Sequence, residues 1–250
     1  MVQDRIEIRR ALISVFDKSG LDALLKQLDP QTRGIELISS GGTATKITEL
    51  GYAVTEVGKY TGFPESPGGY VKTLHPKVHG GLLLDPEHVD PKTGKNDHAE
   101  YMNSIKIPKE ILEVLDMNNP AHRAYAELTK IGPIDLFVGN LYPFQSTVVK
   151  DPTNYEAIRE NIDIGGPAMI RAAAKGFRRV AVLVNWSDVD LLREFESAEP
   201  IQPIGTDMKG RVRLMKRAFE HTRDYEGAID DFWSKQDPDA VAKYFLVEKK

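Results

Sequence analysis

The sequence predicts an α/β fold with a doubly wound, mainly parallel sheet, on three observations. Short β-branched apolar runs alternate with helix-like segments over the first two-thirds of the chain. Polar, glycine- or proline-bearing turns follow those runs, where ligands of such sheets lie beyond the carboxyl ends of strands. The 250 residues suffice for one large domain, or one domain with an appendage, around a substantial core.

Residues 11–16 read as a first buried strand and 34–39 as a second, with helices after them at about 20–29 and 43–50. Further strands are expected at 53–57, 81–84, 134–140 and 179–184. Residues 85–133 break the pattern, with a polar first part and helical spacing at 108–117 and 121–131, and read as a helical insertion. Residues 200–205 form a Pro/Gly connector, and 208–234 alternate basic and apolar positions with helical period. The expected organisation is an α/β domain over 1–200, carrying the 85–133 insertion, and a C-terminal helical arm over 201–250.

A net charge of -4 argues against a general nucleic-acid binder, which needs a basic surface. The absence of cysteine excludes disulfides and thiolate metal sites and agrees with a reducing compartment, so cytoplasmic location is the default. The charged first ten residues and the lack of a long apolar run give no expectation of a membrane partner.

Ser39-Ser40-Gly41-Gly42-Thr43 falls between a strand and a helix. There, two glycines let backbone N–H groups face an anion and the helix start adds partial positive charge. Taken alone it reads equally as a helix cap. It lacks the spacing of a Walker loop. Lys18, after the first strand, stands at the equivalent sheet edge and can reach the same phosphate, although a lone lysine is more often solvated. Lys72-Thr73 pairs a cation with a hydroxyl donor, and the proline of His75-Pro76 holds the chain extended before it. That proline also argues against a helical metal pair of His75 and His79. Asn140-Leu141-Tyr142-Pro143-Phe144 sets a phenol at a strand end, or an aromatic cover on the core. Asp163-Ile164-Gly165-Gly166-Pro167 opens a helix, with Asp163 as capping acceptor or as catalyst.

Taken in order, Ser14-Val15 with Asp17-Lys18, Ser40 to Thr43, Thr61-Gly62-Phe63-Pro64-Glu65, Val71 to Pro76, Asn140 to Phe144, and Asp163 to Lys175 closely resemble the inosine-monophosphate cyclohydrolase domain of the bifunctional purine-biosynthesis proteins. The resemblance spans about residues 9–198 and implies a methylglyoxal-synthase-like fold. It implies closure of 5-formamidoimidazole-4-carboxamide ribonucleotide to inosine monophosphate with loss of water. It implies no cofactor and no metal, a purine ribonucleotide as the small-molecule partner, and a homodimer. By the same resemblance Lys72, Tyr142, Asp163 and Lys175 are catalytic. Ser14, Lys18, Ser40, Gly42, Thr43 and Thr73 hold the phosphate, and Asn140 and Gly165 contact the substrate.

Lys175 lies ten residues along the helix from Gly165, about 15 Å away, so a folded-back loop or a neighbouring subunit is needed to bring it to Asp163. Tyr70 stands where the family commonly has an arginine, and Phe16 where it frequently has a serine. The spacing from Thr73 to Tyr142 is also longer than usual. Residues 211–225 resemble the segment that leads into a formyltransferase domain, for which this sequence has no room, so cyclohydrolase activity is expected without formyl transfer. Competing readings are a methylglyoxal-synthase-like lyase and an allosteric nucleotide-binding module.

Overall fold

The structure, a computed structural model, describes residues 4–63, 71–87, 89–90, 92–103, 130–197 and 199–246. A short β1 (Ile6–Glu7) precedes β2 (Arg10–Val15), which buries Ala11, Leu12, Ile13 and Val15. Such a run, apolar on both faces, belongs inside a parallel sheet. In α1 (Leu21–Leu28), Leu21, Leu24, Leu25 and Leu28 repeat at helical spacing and all face the core. The one-turn α2 (Pro30–Arg33) leads to β3 (Glu36–Ser39), α3 (Gly41–Glu49), β4 (Thr55–Glu56) and α4 (Val57–Thr61).

The strand expected at 81–84 is instead the end of α5 (Pro76–Leu83). His75 Nδ1 accepts the Lys77 N–H at 3.0 Å and Pro76 takes the first helical position, so a helix starts at once. A short apolar run cannot by itself distinguish strand from helix. Gly81 allows the close packing, because a Cβ there would lie 2.8 Å from the Gly132 carbonyl. Pro76 therefore opens this helix and does not separate His75 from His79, whose N–H bonds the His75 carbonyl at 3.0 Å. Among the described residues no group of three His, Cys, Asp or Glu side chains could hold a metal ion.

Within the expected insertion, α6 (Asp97–Asn103) occupies part of what reads as polar loop, started by Asn96 Oδ1 accepting the Ala99 N–H at 2.9 Å. The helix expected at 108–117, and that at 121–131 apart from its last two residues, lie outside the described residues, as does Tyr70. The chain then forms β5 (Leu136–Asn140), α7 (Phe144–Lys150), α8 (Tyr155–Glu160), α9 (Gly165–Lys175) and β6 (Ala181–Leu183).

These strands make a five-stranded sheet in the order β4-β3-β2-β5-β6, parallel throughout. The winding runs outward from β2 through β3 to β4, then restarts at β5, which puts the topological switch point between β2 and β5. The connector at 200–205 is partly a strand. β7 (Arg193–Glu194) and β8 (Ile204–Thr206) join β1 in a small antiparallel sheet, β1-β8-β7. The segment expected as an arm is α10 (Met208–Trp233), which buries Leu214, Ala218, Thr222 and Tyr225 and packs on α9, β6 and α7. Arg211, fully buried, starts it by donating to the carbonyls of Phe177, Asp4 and Thr206. The chain continues as α11 (Pro238–Leu246). No described helix is long and apolar enough to cross a membrane.

At the amino ends of the strands, Asp135 Oδ2 accepts the N–H groups of Arg9 and Arg10, while Oδ1 accepts Arg179 Nη1 at 2.7 Å. Arg179 Nη2 also donates to the carbonyls of Gly81 and Ile134. Burial raises the Asp135 carboxyl and lowers Arg179, and their mutual attraction opposes both shifts. Neither ion can lose the other cheaply. Replacing Asp135 by Ala leaves the buried guanidinium uncompensated and is expected to lower unfolding free energy by about 3–5 kcal/mol in urea titration. A loss below about 1 kcal/mol would mean that the pair holds nothing in place.

Candidate active site

A cavity of about 610 Å³ opens at the switch point, lined from β2, the turn into α3, the 72–73 segment, the end of β5 and the start of α9. Every residue expected in the site except Lys175 lines it: Ser14, Lys18, Ser40, Gly42, Thr43, Lys72, Thr73, Asn140, Tyr142, Asp163 and Gly165. The parallel order explains this, since each of these loops leaves the same edge of one sheet.

At one end of the cavity stands the start of α3. Gly41 has φ 53°, a left-handed backbone that glycine adopts without a Cβ penalty, and it turns the chain from β3 into the helix. Ser40 does not cap the helix with its side chain, so first-turn N–H groups, which lie among the cavity-lining residues 40–43, are left open to an anion. Two ammonium groups stand beside it. A Cβ at Gly41 would lie 3.5 Å from Lys72 Nζ, and one at Gly42 would lie 4.0 Å from Lys18 Nζ. Lys18 Nζ also donates to the Phe16 carbonyl at 3.1 Å, which steadies it over the cradle. Helix dipole and two cations suit a phosphate monoester. Lys72, expected as a catalytic residue, thus stands beside the Gly41 turn at the start of α3.

Two expected ligands act on the protein itself. Thr43 Oγ1 accepts the Val15 N–H at 3.2 Å and donates to the Val15 carbonyl at 2.9 Å, fastening α3 to the end of β2. Asn140 Oδ1 accepts the N–H groups of Phe16 and Asp17, and Nδ2 donates to the Asp17 carbonyl. Thr43 thus fixes the end of β2 and Asn140 the 16–17 turn, and both residues line the cavity. Asp17 is held below the usual carboxylate range, first by the Ser19 N–H and hydroxyl and also by Trp186 Nε1.

At the other end, Tyr142 packs edge-to-face on Phe16, ring centroids 4.5 Å apart, so the residue that departs from the family's serine forms an aromatic wall. Asp163 Oδ1 accepts the Gly166 N–H at 2.9 Å, capping α9, and Tyr225 of α10 accepts the Asp163 N–H at 2.7 Å. The two glycines are required by crowding. A Cβ at Gly165 would stand 2.7 Å from Thr73 Oγ1, and one at Gly166 would stand 2.3 Å from Asp163 Oδ2. Tyr225 was missed by sequence reasoning, because it lies 62 positions from Asp163 and only the fold brings it there.

Lys175 is the exception. It ends α9, exposed to solvent, at the far end of the helix that Gly165 begins. The 162–165 turn is tied to α9 and α10 and does not fold back toward it. Within one chain, then, Lys175 does not join the cavity.

The crowding at Gly165 gives a direct test of the role expected for Thr73. Gly165→Ala displaces the Thr73 hydroxyl, and a lost polar contact of that kind should weaken binding of a nucleoside 5′-monophosphate by about tenfold in calorimetry. Unchanged affinity would remove Thr73 from the phosphate site.

Comparisons with known proteins agree with this architecture. The crystal structure of ForH superposes with a TM-score of 0.58 at 23% identity, covering 90% of this chain and 99% of that one, a likeness of fold. The MGS-like domain matches residues 21–168, from α1 into α9 and so across the switch point and most of the cavity lining. The chain therefore belongs to the MGS-like domain family.

Proposed function

We propose that this protein is an IMP cyclohydrolase, closing 5-formamidoimidazole-4-carboxamide ribonucleotide to inosine monophosphate. The observation that carries the reading is one cavity with a cationic phosphate cradle at one end and a carboxylate and a phenol toward the other. Membership of the MGS-like family supports an enzyme of small phosphorylated substrates, and the ordered motifs of the sequence supply the specific reaction.

The addition step needs two proton movements. The carboxamide nitrogen attacks the formyl carbon of the same molecule, a C–N bond forms, and the nitrogen gives a proton to a base while the formyl oxygen takes one from a donor. Loss of the resulting hydroxyl as water, with the proton of the former formamido nitrogen, completes the purine. Asp163 is the base in this reading. Its Oδ1 is tied to Gly166, which leaves Oδ2 as the oxygen for the proton. Tyr142, held against Phe16, is the donor to the formyl oxygen. Both reacting groups sit on one imidazole, so holding the nucleotide by its phosphate and fixing the ring-closing rotamer supplies much of the rate.

Lys18, Lys72, Thr73 and the first turn of α3 hold the phosphate in this scheme. The small-molecule partner is a free imidazole ribonucleotide that leaves as a purine ribonucleotide, and the assembly inferred by resemblance is a homodimer, which light scattering would weigh.

The ultraviolet change on purine formation reads the chemistry. Asp163→Asn should lower kcat by about a hundredfold or more, the usual worth of a general base. Lys72→Ala should raise KM by about tenfold with little change in kcat, as uniform binding of substrate and transition state demands. A collapse of kcat in Lys72→Ala would return that lysine to the catalytic role. Nucleotide binding without closure in the wild type would favour a regulatory module instead, and turnover of dihydroxyacetone phosphate a lyase.

Lys175 is separately testable. Its position at the exposed end of α9 predicts that Lys175→Ala keeps kcat within about twofold, because electrostatic help fades over such a distance. A hundredfold loss would mean that a second copy of the chain delivers the lysine.

A further inference from the structure

The helix expected as a C-terminal arm bonds to Asp163, which lines the cavity. Tyr225 lies on α10 with only 6% of its surface exposed, and its hydroxyl accepts the Asp163 N–H at 2.7 Å. The same Asp163 holds the start of α9 through Oδ1. The carboxylate proposed as base thus sits on a short turn fixed at its backbone by one helix and at its side chain by another.

α10 is built to hold that hydroxyl still. Buried Arg211 ties its first turn to three backbone carbonyls on separate segments. Leu214, Ala218, Thr222 and Tyr225 follow at intervals of four, four and three, one face of the helix, all buried. Arg171 of α9 lies over the Phe219 ring of α10, 5.8 Å from its centroid, fastening the two helices side by side. Burial raises the Tyr225 phenol above its ordinary value, so the hydroxyl stays neutral around pH 7. A neutral hydroxyl accepts the amide and keeps its own proton.

We infer that Tyr225 is a positioning residue for the ring-closing reaction, holding the Asp163 turn so that the carboxylate meets the carboxamide nitrogen. The inference rests on the cyclohydrolase reading for its catalytic consequence, and on the hydrogen bond alone for its structural one. α10 thus supports the site from behind the Asp163 turn, and Tyr225 itself does not line the cavity. Its hydroxyl acts through Asp163 and touches no reacting atom.

Tyr225→Phe removes the hydroxyl and keeps the ring that fills the space between the helices. Two measurements on the full chain separate the possibilities. Amide hydrogen exchange over residues 160–166 should quicken by ~10-fold in the variant while α10 exchanges as before, the mark of a local opening. With the formamido ribonucleotide, kcat should fall by ~10–100-fold, the scale of a misplaced catalytic group, with KM within about twofold. A purely structural role would lower protection across α9 and α10 together and raise KM, and that result overturns the inference. Unchanged exchange at 160–166 overturns it too, as does faster exchange there with wild-type kcat. If the wild type itself fails to close the ring, the cyclohydrolase reading and the catalytic part of the inference fall, while the exchange data still decide whether Tyr225 anchors the turn.

Discussion

The structure depends on the placement of β2 between β3 and β5, parallel to both. Parallel strands send all their carboxyl ends to one edge, and the reversal of winding at β2 and β5 parts the loops there. The cavity is the result. Ser14 lies near the end of one strand, the Gly41 turn leaves the next, and Asn140 ends the third, so the residues lining the cavity share one edge although they are far apart in sequence. Any register shift between β2 and β5 would separate them.

Polar side chains at the two edges of the sheet do different work. At the amino edge, Asp135 and Arg179 are buried and bonded to one another and to backbone, which ties the ends of β2 and β5 to α5. At the carboxyl edge, Thr43 and Asn140 fasten the chain with their side chains, while Lys18, Lys72, Tyr142 and Asp163 line the cavity. Preorganisation of that kind suits the ring closure proposed above, in which the substrate would bring both reacting groups and the protein would mainly orient them. The Gly165-Gly166 pair belongs with the fasteners: it removes two Cβ atoms where Thr73 and Asp163 must stand close to the helix start.

Much of this was legible in the sequence, for reasons of period and punctuation. The runs at 11–16, 34–39 and 134–140 are apolar enough to be interior strands, and glycine marks the turn at 41–42, so the sheet and its functional edge follow. The run at 81–84 misled because four apolar or small residues fit either period, and the deciding signal was the His75-Pro76 start six residues earlier. The antiparallel trio of β1, β7 and β8 has strands of only two or three residues, too short to show alternation. Lys175 shows the limit of carrying a role over by motif: the rise of a helix already placed it far from Asp163, and the structure keeps it there, exposed. Lys72 was found by the sequence, but its place beside Gly41 came only from the fold. Tyr225 had no local signal, since its meaning arises from α10 packing along α9.

The central claim is that one cavity binds a purine ribonucleotide with its phosphate at α3 and its base toward Asp163 and Tyr142. A crystal structure of the chain with inosine monophosphate tests it most directly. The account predicts phosphate oxygens within hydrogen-bond distance of the Gly42 and Thr43 N–H groups and of Lys18 and Lys72, about 2.7–3.2 Å, with the pyrimidine ring of the base between Tyr142 and Asp163. A nucleotide seated in the reverse direction, or bound away from the switch point, would contradict it.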